Sequence, residues 1–177
     1  GGGLPKNRTT LIAGNTGCGK TLLALDFLVR GAVDLDEPGV FVSFEGTEDE
    51  LYKDVASINM DLEKLVSQKK IVIDYVRLER KDIQAAGEFN LEGLFVRLQL
   101  AIDSIGAKRV VLDSIESLFA GVSDAGILRL EIKRLFRLFK TKQVTAIVTG
   151  ELGVEGTLTH HGLEEYISDC IVFLDNR

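Results

Sequence analysis

The run Gly14-Asn15-Thr16-Gly17-Cys18-Gly19-Lys20-Thr21 combines glycines, an amine and a hydroxyl in the spacing G-x-x-x-x-G-K-[ST]. Those residue types at that spacing suit the binding of a phosphate chain. The glycines allow backbone angles that turn successive N–H groups onto one anion. Lys20 would reach the β- and γ-phosphates, and the Thr21 hydroxyl would take a place on Mg2+. A Gly-rich strand-to-helix turn can arise by chance. Here, however, an apolar run, Thr10–Ala13, comes directly before the motif, and a leucine-rich helical pattern, Lys20–Val33, directly after it. A helix starting there adds unpaired N–H groups and partial positive charge.

Two carboxylates extend this chemistry. Asp113 ends the apolar run RVVLD, where a phosphate-binding ATPase needs an acid beside its magnesium. An acid ending a strand can also be a helix cap, and the phosphate loop is what favours the metal role. Glu45 ends VFVSFE, and a carboxylate there can orient or polarise an attacking water. The acids that follow have a structural reading: Thr47-Glu48-Asp49-Glu50 is a capping box, which removes Glu50 from the catalytic candidates. Cys18 has two readings. It is a small residue tolerated in the turn, or a thiolate favoured by the helix N-terminus and shielded from alkylation by bound nucleotide. Cys170, in CIVFLD, reads as a core residue, and the adjacent His160 and His161 as polar loop residues rather than metal ligands.

Elements must carry these residues to one place. Six β-type runs stand out: Thr10–Ala13, Val40–Glu45, Ile71–Val76, Arg109–Ser114, Thr145–Thr149 and Cys170–Asp175. Most are continuous blocks of Val, Ile, Leu and Phe, the pattern of strands covered on both faces. Helical patterns fall near Lys20–Val33, Glu48–Ser57, Leu91–Ile105 and Ile127–Lys140. This alternation predicts an α/β fold, a mostly parallel sheet flanked by helices, in one domain over residues 1–177. In such a sheet the carboxyl ends of the strands form the ligand edge.

Composition narrows the function classes. The net charge of −6 is a poor match for a nucleic-acid backbone. No apolar run approaches the length of a membrane span, and no signal-peptide pattern is visible. Two cysteines make no disulfide framework, which fits a reducing, cytoplasmic setting. Arg129, Lys133, Arg137 and Lys140 share one side of a helical pattern with Leu128, Ile132, Leu135 and Phe139 on another. A solvated outer face is the default reading, with a subunit interface or a nucleic-acid groove as the functional alternatives.

The stretches GGGLPKNRTTLIAGNTGCGKTLLALDFLVRGA, VFVSFE, GEFNLEGL, AKRVVLDSIESLF and HGLEEYISDCIVFL resemble the KaiC family of RecA-like P-loop ATPases over essentially the whole chain. The loop motif is common to many ATPases, whereas GGGLP before it and LDSIESLF beyond it are more particular. The resemblance implies a RecA-like P-loop NTPase core that binds ATP and Mg2+ and assembles as a ring, commonly a hexamer, with ATP between subunits. By position it implies that Gly14, Asn15, Thr16, Gly17, Cys18, Gly19, Lys20 and Thr21 hold the phosphates and that Thr21 and Asp113 serve the metal. It places Ser57 near the nucleoside, and Thr149 and Glu151 at a strand end that senses the γ-phosphate. Glu45, Lys20 and Asp113 would carry the catalysis. On this view Gly1-Gly2-Gly3 is native to the domain.

Three departures qualify what the resemblance implies. The family commonly has paired acids after the second strand, and this chain has Glu45-Gly46. The clock protein's phosphorylated domain has a Ser-Thr pair where this chain has Glu165-Tyr166, with Ser168 nearby, which points to the ATPase type of domain. The chain stops at Arg177, before a further strand and the basic residues that reach a neighbour's nucleotide. A truncated domain that binds nucleotide well and turns it over slowly, as a module of a signalling ring with an unidentified protein partner, is the expectation. The alternatives are a nucleotide-binding scaffold with little catalysis and a RecA- or DnaB-like DNA motor, the latter opposed by the acidic balance.

Overall fold

All six apolar runs form strands in a computed structural model of the chain, which describes residues 3–56, 60–76, 91–119, 124–153 and 169–175. They are β1 (Thr9–Gly14), β2 (Gly39–Ser43), β3 (Ile71–Tyr75), β4 (Arg109–Asp113), β5 (Thr145–Glu151) and β6 (Cys170–Leu174). They build one sheet in the order β3-β2-β4-β5-β1-β6, with every pairing parallel. Parallel strands need crossovers, and the helical patterns supply them. The helices of the described residues are α1 (Lys20–Asp34), α2 (Glu48–Ala56), α3 (Leu62–Ser67), α4 (Glu92–Ile105), α5 (Ile115–Phe119) and α6 (Ala125–Lys142). The short α3 and α5 fall outside the sequence expectation, since neither is long enough to show a period.

Successive side chains of a strand face opposite sides, and the core divides accordingly. Leu11, Ala13, Val40, Val42, Val110, Leu112, Ala146 and Val148 pack on one face with residues of α4 and α6. Ile12, Phe41, Val111 and Ile147 pack on the other with Ala24, Leu25 and Leu28 of α1 and residues of α2 and α3. Burial on both faces explains why these strands lack polar alternation. On α6, Leu128, Ile132, Leu135 and Phe139 are buried while Arg129, Lys133, Arg137 and Lys140 are exposed, which a solvated face, a subunit interface and a nucleic-acid groove all require. Cys170 is half-buried rather than part of the core, because among the described residues β6 lies at the sheet edge and pairs only with β1. Among the described residues no helix is long and apolar enough to cross a membrane.

One side chain fixes α1 against the sheet. The Arg109 guanidinium lies 4.4 Å over the Phe27 ring, donates to the Phe27 carbonyl at 2.6 Å and pairs with Glu37 at 2.7 Å. Gly31 makes room for it, since a Cβ there would stand 2.4 Å from Arg109 Cδ and Nε.

Candidate functional site

Strand register brings the candidate residues to one edge. Gly14 is level with Glu151, Leu112 with Val148, and Ser43 with Asp113, so the ends of β1, β5, β4 and β2 form a row. The turn between β1 and α1 closes over this row. Gly17 and Gly19 have φ of 78° and 93°, left-handed angles that favour glycine. Gly14 is close-packed: a Cβ would lie 2.7 Å from the Leu174 carbonyl oxygen and 2.4 Å from Cys18 Sγ.

The start of α1 is open to an anion. Its N-cap, Gly19, offers no side-chain hydrogen bond, and its first turn has no acid. The N–H groups that a cap would otherwise satisfy are therefore left for a ligand. Lys20 is buried, and its Nζ donates to the carbonyls of Gly14 at 2.8 Å and Asn15 at 2.9 Å. Two of its three N–H bonds thus hold the loop, and the third can reach a phosphate oxygen. Thr16 Oγ1 donates to Glu151 Oε1 at 2.9 Å. Cys18 is a half-buried free thiol whose N–H donates to the Asn15 carbonyl at 3.2 Å.

The Thr21 hydroxyl donates to Asp113 Oδ2 at 2.8 Å, and Thr149 Oγ1 donates to Asp113 Oδ1. Burial pushes the Asp113 carboxyl above the usual carboxylate range. The Thr149 and Thr21 hydrogen bonds oppose that shift, the nearby Glu45 charge adds to it, and Lys20 draws it back. A divalent cation fits this place. Thr21 and Asp113 supply hard oxygen donors only, as magnesium prefers, and Mg2+ usually keeps several waters and shares phosphate oxygens. Among the described residues no three His, Cys, Asp or Glu side chains gather to hold a metal by themselves, so a cation here would depend on its phosphate partners.

Glu45 follows β2 and is exposed in a cavity of about 510 Å³ that it shares with Lys20, Thr21, Asp113 and Glu151. Its Oε1 accepts from Ser114 Oγ at 3.2 Å and from Ser117 Oγ, while Ser43 Oγ donates to its backbone carbonyl. The capping box forms as expected. Thr47 N donates to Glu50 Oε2 at 2.8 Å, and Glu50 N to Thr47 Oγ1 at 3.4 Å, so the Glu50 carboxylate is engaged although it borders the cavity. The structure thus brings together Gly14 to Thr21, Glu45, Asp113, Thr149 and Glu151. Ser57, His160, His161, Glu165, Tyr166 and Ser168 lie outside the described residues.

Sequence reasoning missed Ser114, Ser117 and Glu116. The serines are three apart, one helical turn, so a helix after Asp113 would have predicted them on one side. Glu116, on α5, accepts from the Glu151 amide at 2.7 Å through Oε1, and no sequence pattern marks that contact.

A family profile described as "ATPase: KaiC" matches residues 1–177. "Circadian clock protein KaiC2" of Synechocystis sp. is 53% identical over 176 residues, covering 99% of this chain and 31% of that protein. "Circadian clock oscillator protein KaiC" of Parathermosynechococcus lividus is 39% identical, covering 99% of this chain and 32% of that protein. The protein of that name from Synechococcus elongatus is 38% identical, with 99% and 34% covered. The chain therefore spans about a third of the length of the curated relatives it matches.

Proposed function

The chain belongs to the KaiC family of ATPases, and from that membership and the geometry above we propose that residues 1–177 are one ATPase domain that binds ATP with Mg2+ and hydrolyses it slowly. The observation that supports this best is the convergence of Lys20, Thr21 and Asp113 before the uncapped start of α1. The N–H groups of the loop and of the first turn of α1 hold the phosphate chain, and Lys20 spends its third N–H on the outer phosphates. Thr21 and Asp113 hold the magnesium, which neutralises charge on the transferring phosphoryl group. Glu45 orients a water through Oε2, since both serine hydroxyls bind Oε1. Thr149 fixes the rotamer of Asp113, and Glu151 fixes Thr16.

Slow turnover has a local cause in this reading. Two hydroxyl donors occupy Glu45 Oε1, which leaves Oε2 alone to meet a water. Gly46 stands where the family commonly has a second acid. The choice of ATP as the nucleotide comes from the family. So does the larger setting, a module of a hexameric ring that signals to a protein partner; the reducing cytoplasm rests on the two free cysteines, and the acidic balance and the lack of a long apolar run oppose nucleic acid and membrane as partners.

Mg–ATP binding and phosphate release, measured side by side, test this. Lys20→Ala is expected to abolish binding. Glu45→Gln is expected to leave binding intact and lower release by about a hundredfold, the scale of a lost general base. Unchanged binding in Lys20→Ala would refute the site. Equal release from the parent chain and Glu45→Gln would favour a second reading, a nucleotide-binding scaffold, for which the clamped Glu45 carboxylate is the supporting observation.

A further inference from the structure

Glu116 is a buried acid that the reaction just described does not use. It sits on α5, three residues after Asp113, and its two oxygens have different surroundings. Oε1 accepts from the Glu151 amide at 2.7 Å, whereas Oε2 is buried without a hydrogen-bond partner among the described residues. A carboxyl group kept in such a place at the expense of its hydration is held for what its bonded oxygen does. What it does is tie down the end of β5. The residue it holds, Glu151, reaches across to the phosphate loop and accepts from Thr16 Oγ1 at 2.9 Å. Glu151 is also level with Gly14, the first residue of that loop, in the β1–β5 register.

We infer that Glu116 is a positioning residue for nucleotide binding: by holding the Glu151 amide it aims the Glu151 carboxylate at Thr16, and so sets the phosphate loop from the opposite side of the sheet edge. This rests on the reading of that loop as the phosphate site. Glu116 touches no nucleotide and acts only through Glu151. Burial raises the pKa of the Glu116 carboxyl, the bond from the Glu151 amide opposes that shift, and the Glu151 charge adds to it.

The test is a double-mutant cycle read by the affinity of a fluorescent ATP analogue, mant-ATP, with Mg2+. Glu116→Met keeps the volume and removes the acceptor; Glu116→Ala serves if the methionine variant does not fold; Glu116→Gln keeps the acceptor. The acceptor-less variants are expected to weaken binding by about tenfold, on the scale of one buried hydrogen bond, with Glu116→Gln close to the parent. In a Thr16→Val background the further loss is expected to shrink to about twofold or less, because the chain of contacts is already cut. Parent-like affinity in Glu116→Met, or an equal loss with and without Thr16→Val, would overturn the inference, since a merely structural role lowers stability without coupling to Thr16. Lys20→Ala, run alongside, separates the two ideas: if it still binds the analogue, the phosphate site itself is wrong, and if it does not while Glu116→Met binds normally, only the positioning role fails.

Discussion

Glu116 and Asp113 are both held above the ordinary carboxylate range, chiefly by burial, and each therefore links stability to pH with the sign opposite to that of a salt-bridged acid. Between the unfolded and the raised folded pKa of Glu116, the folded chain binds more protons than the unfolded one, so stability falls as pH rises through that interval. The stabilising contribution is fully present below the ordinary glutamate value and is lost above the folded one. Glu116→Gln removes the titration and keeps the acceptor for Glu151. Its unfolding free energy is expected to decline less than that of the parent between acid and neutral pH, in denaturant titrations across the range. A parallel decline in both proteins would mean that the buried oxygen is better solvated than its surroundings indicate.

At the scale of elements, Arg109 adds a polar anchor to the apolar packing that holds α1 on the sheet. Its guanidinium is fixed by Phe27 and Glu37 beneath the helix, and Gly31 supplies the clearance. Gly31→Ala would gain about 1 kcal/mol of helix propensity and lose more by displacing Arg109, since overpacking costs about 1–3 kcal/mol. A net loss of about 1 kcal/mol is expected from thermal unfolding, and none in an Arg109→Ala background. This requirement at Gly31 was not legible in the sequence, because it depends on which strand lies under the helix. Local features were legible. The strands follow from blocks such as VVLD, the start of α1 from GCGKT, and the α2 cap from Thr47 and Glu50. Three-dimensional ones were not: the strand order, the register that levels Gly14 with Glu151, and the contacts of Ser114, Ser117 and Glu116 with residues far along the chain. Hydrophobic period reports burial, not neighbours.

At the scale of the whole molecule, the described residues form a sheet whose two faces are covered by helices, and the proposed phosphate loop after β1 is separated from the Asp113-bearing β4 by β5 alone. A ligand there touches segments far apart in sequence, so its binding energy should appear as stability of the entire chain. Mg–ATP at about a hundred times its Kd is expected to add about 2.7 kcal/mol, or roughly 5–10 °C in Tm for a domain of this size. Lys20→Ala should show no such rise in a thermal shift assay, and a shift confined to one local transition would argue against a single cooperative unit. The Lys20 amine, bonded to the carbonyls of Gly14 and Asn15, ties the two ends of the loop together from within. If that tie holds in the free chain, a nucleotide meets a loop that needs no folding, and the proposed site fills at a rate governed by diffusion and orientation. Nucleotides that differ only in what they present beyond the β-phosphate would enter this chain at similar speeds and be told apart by how long each of them stays.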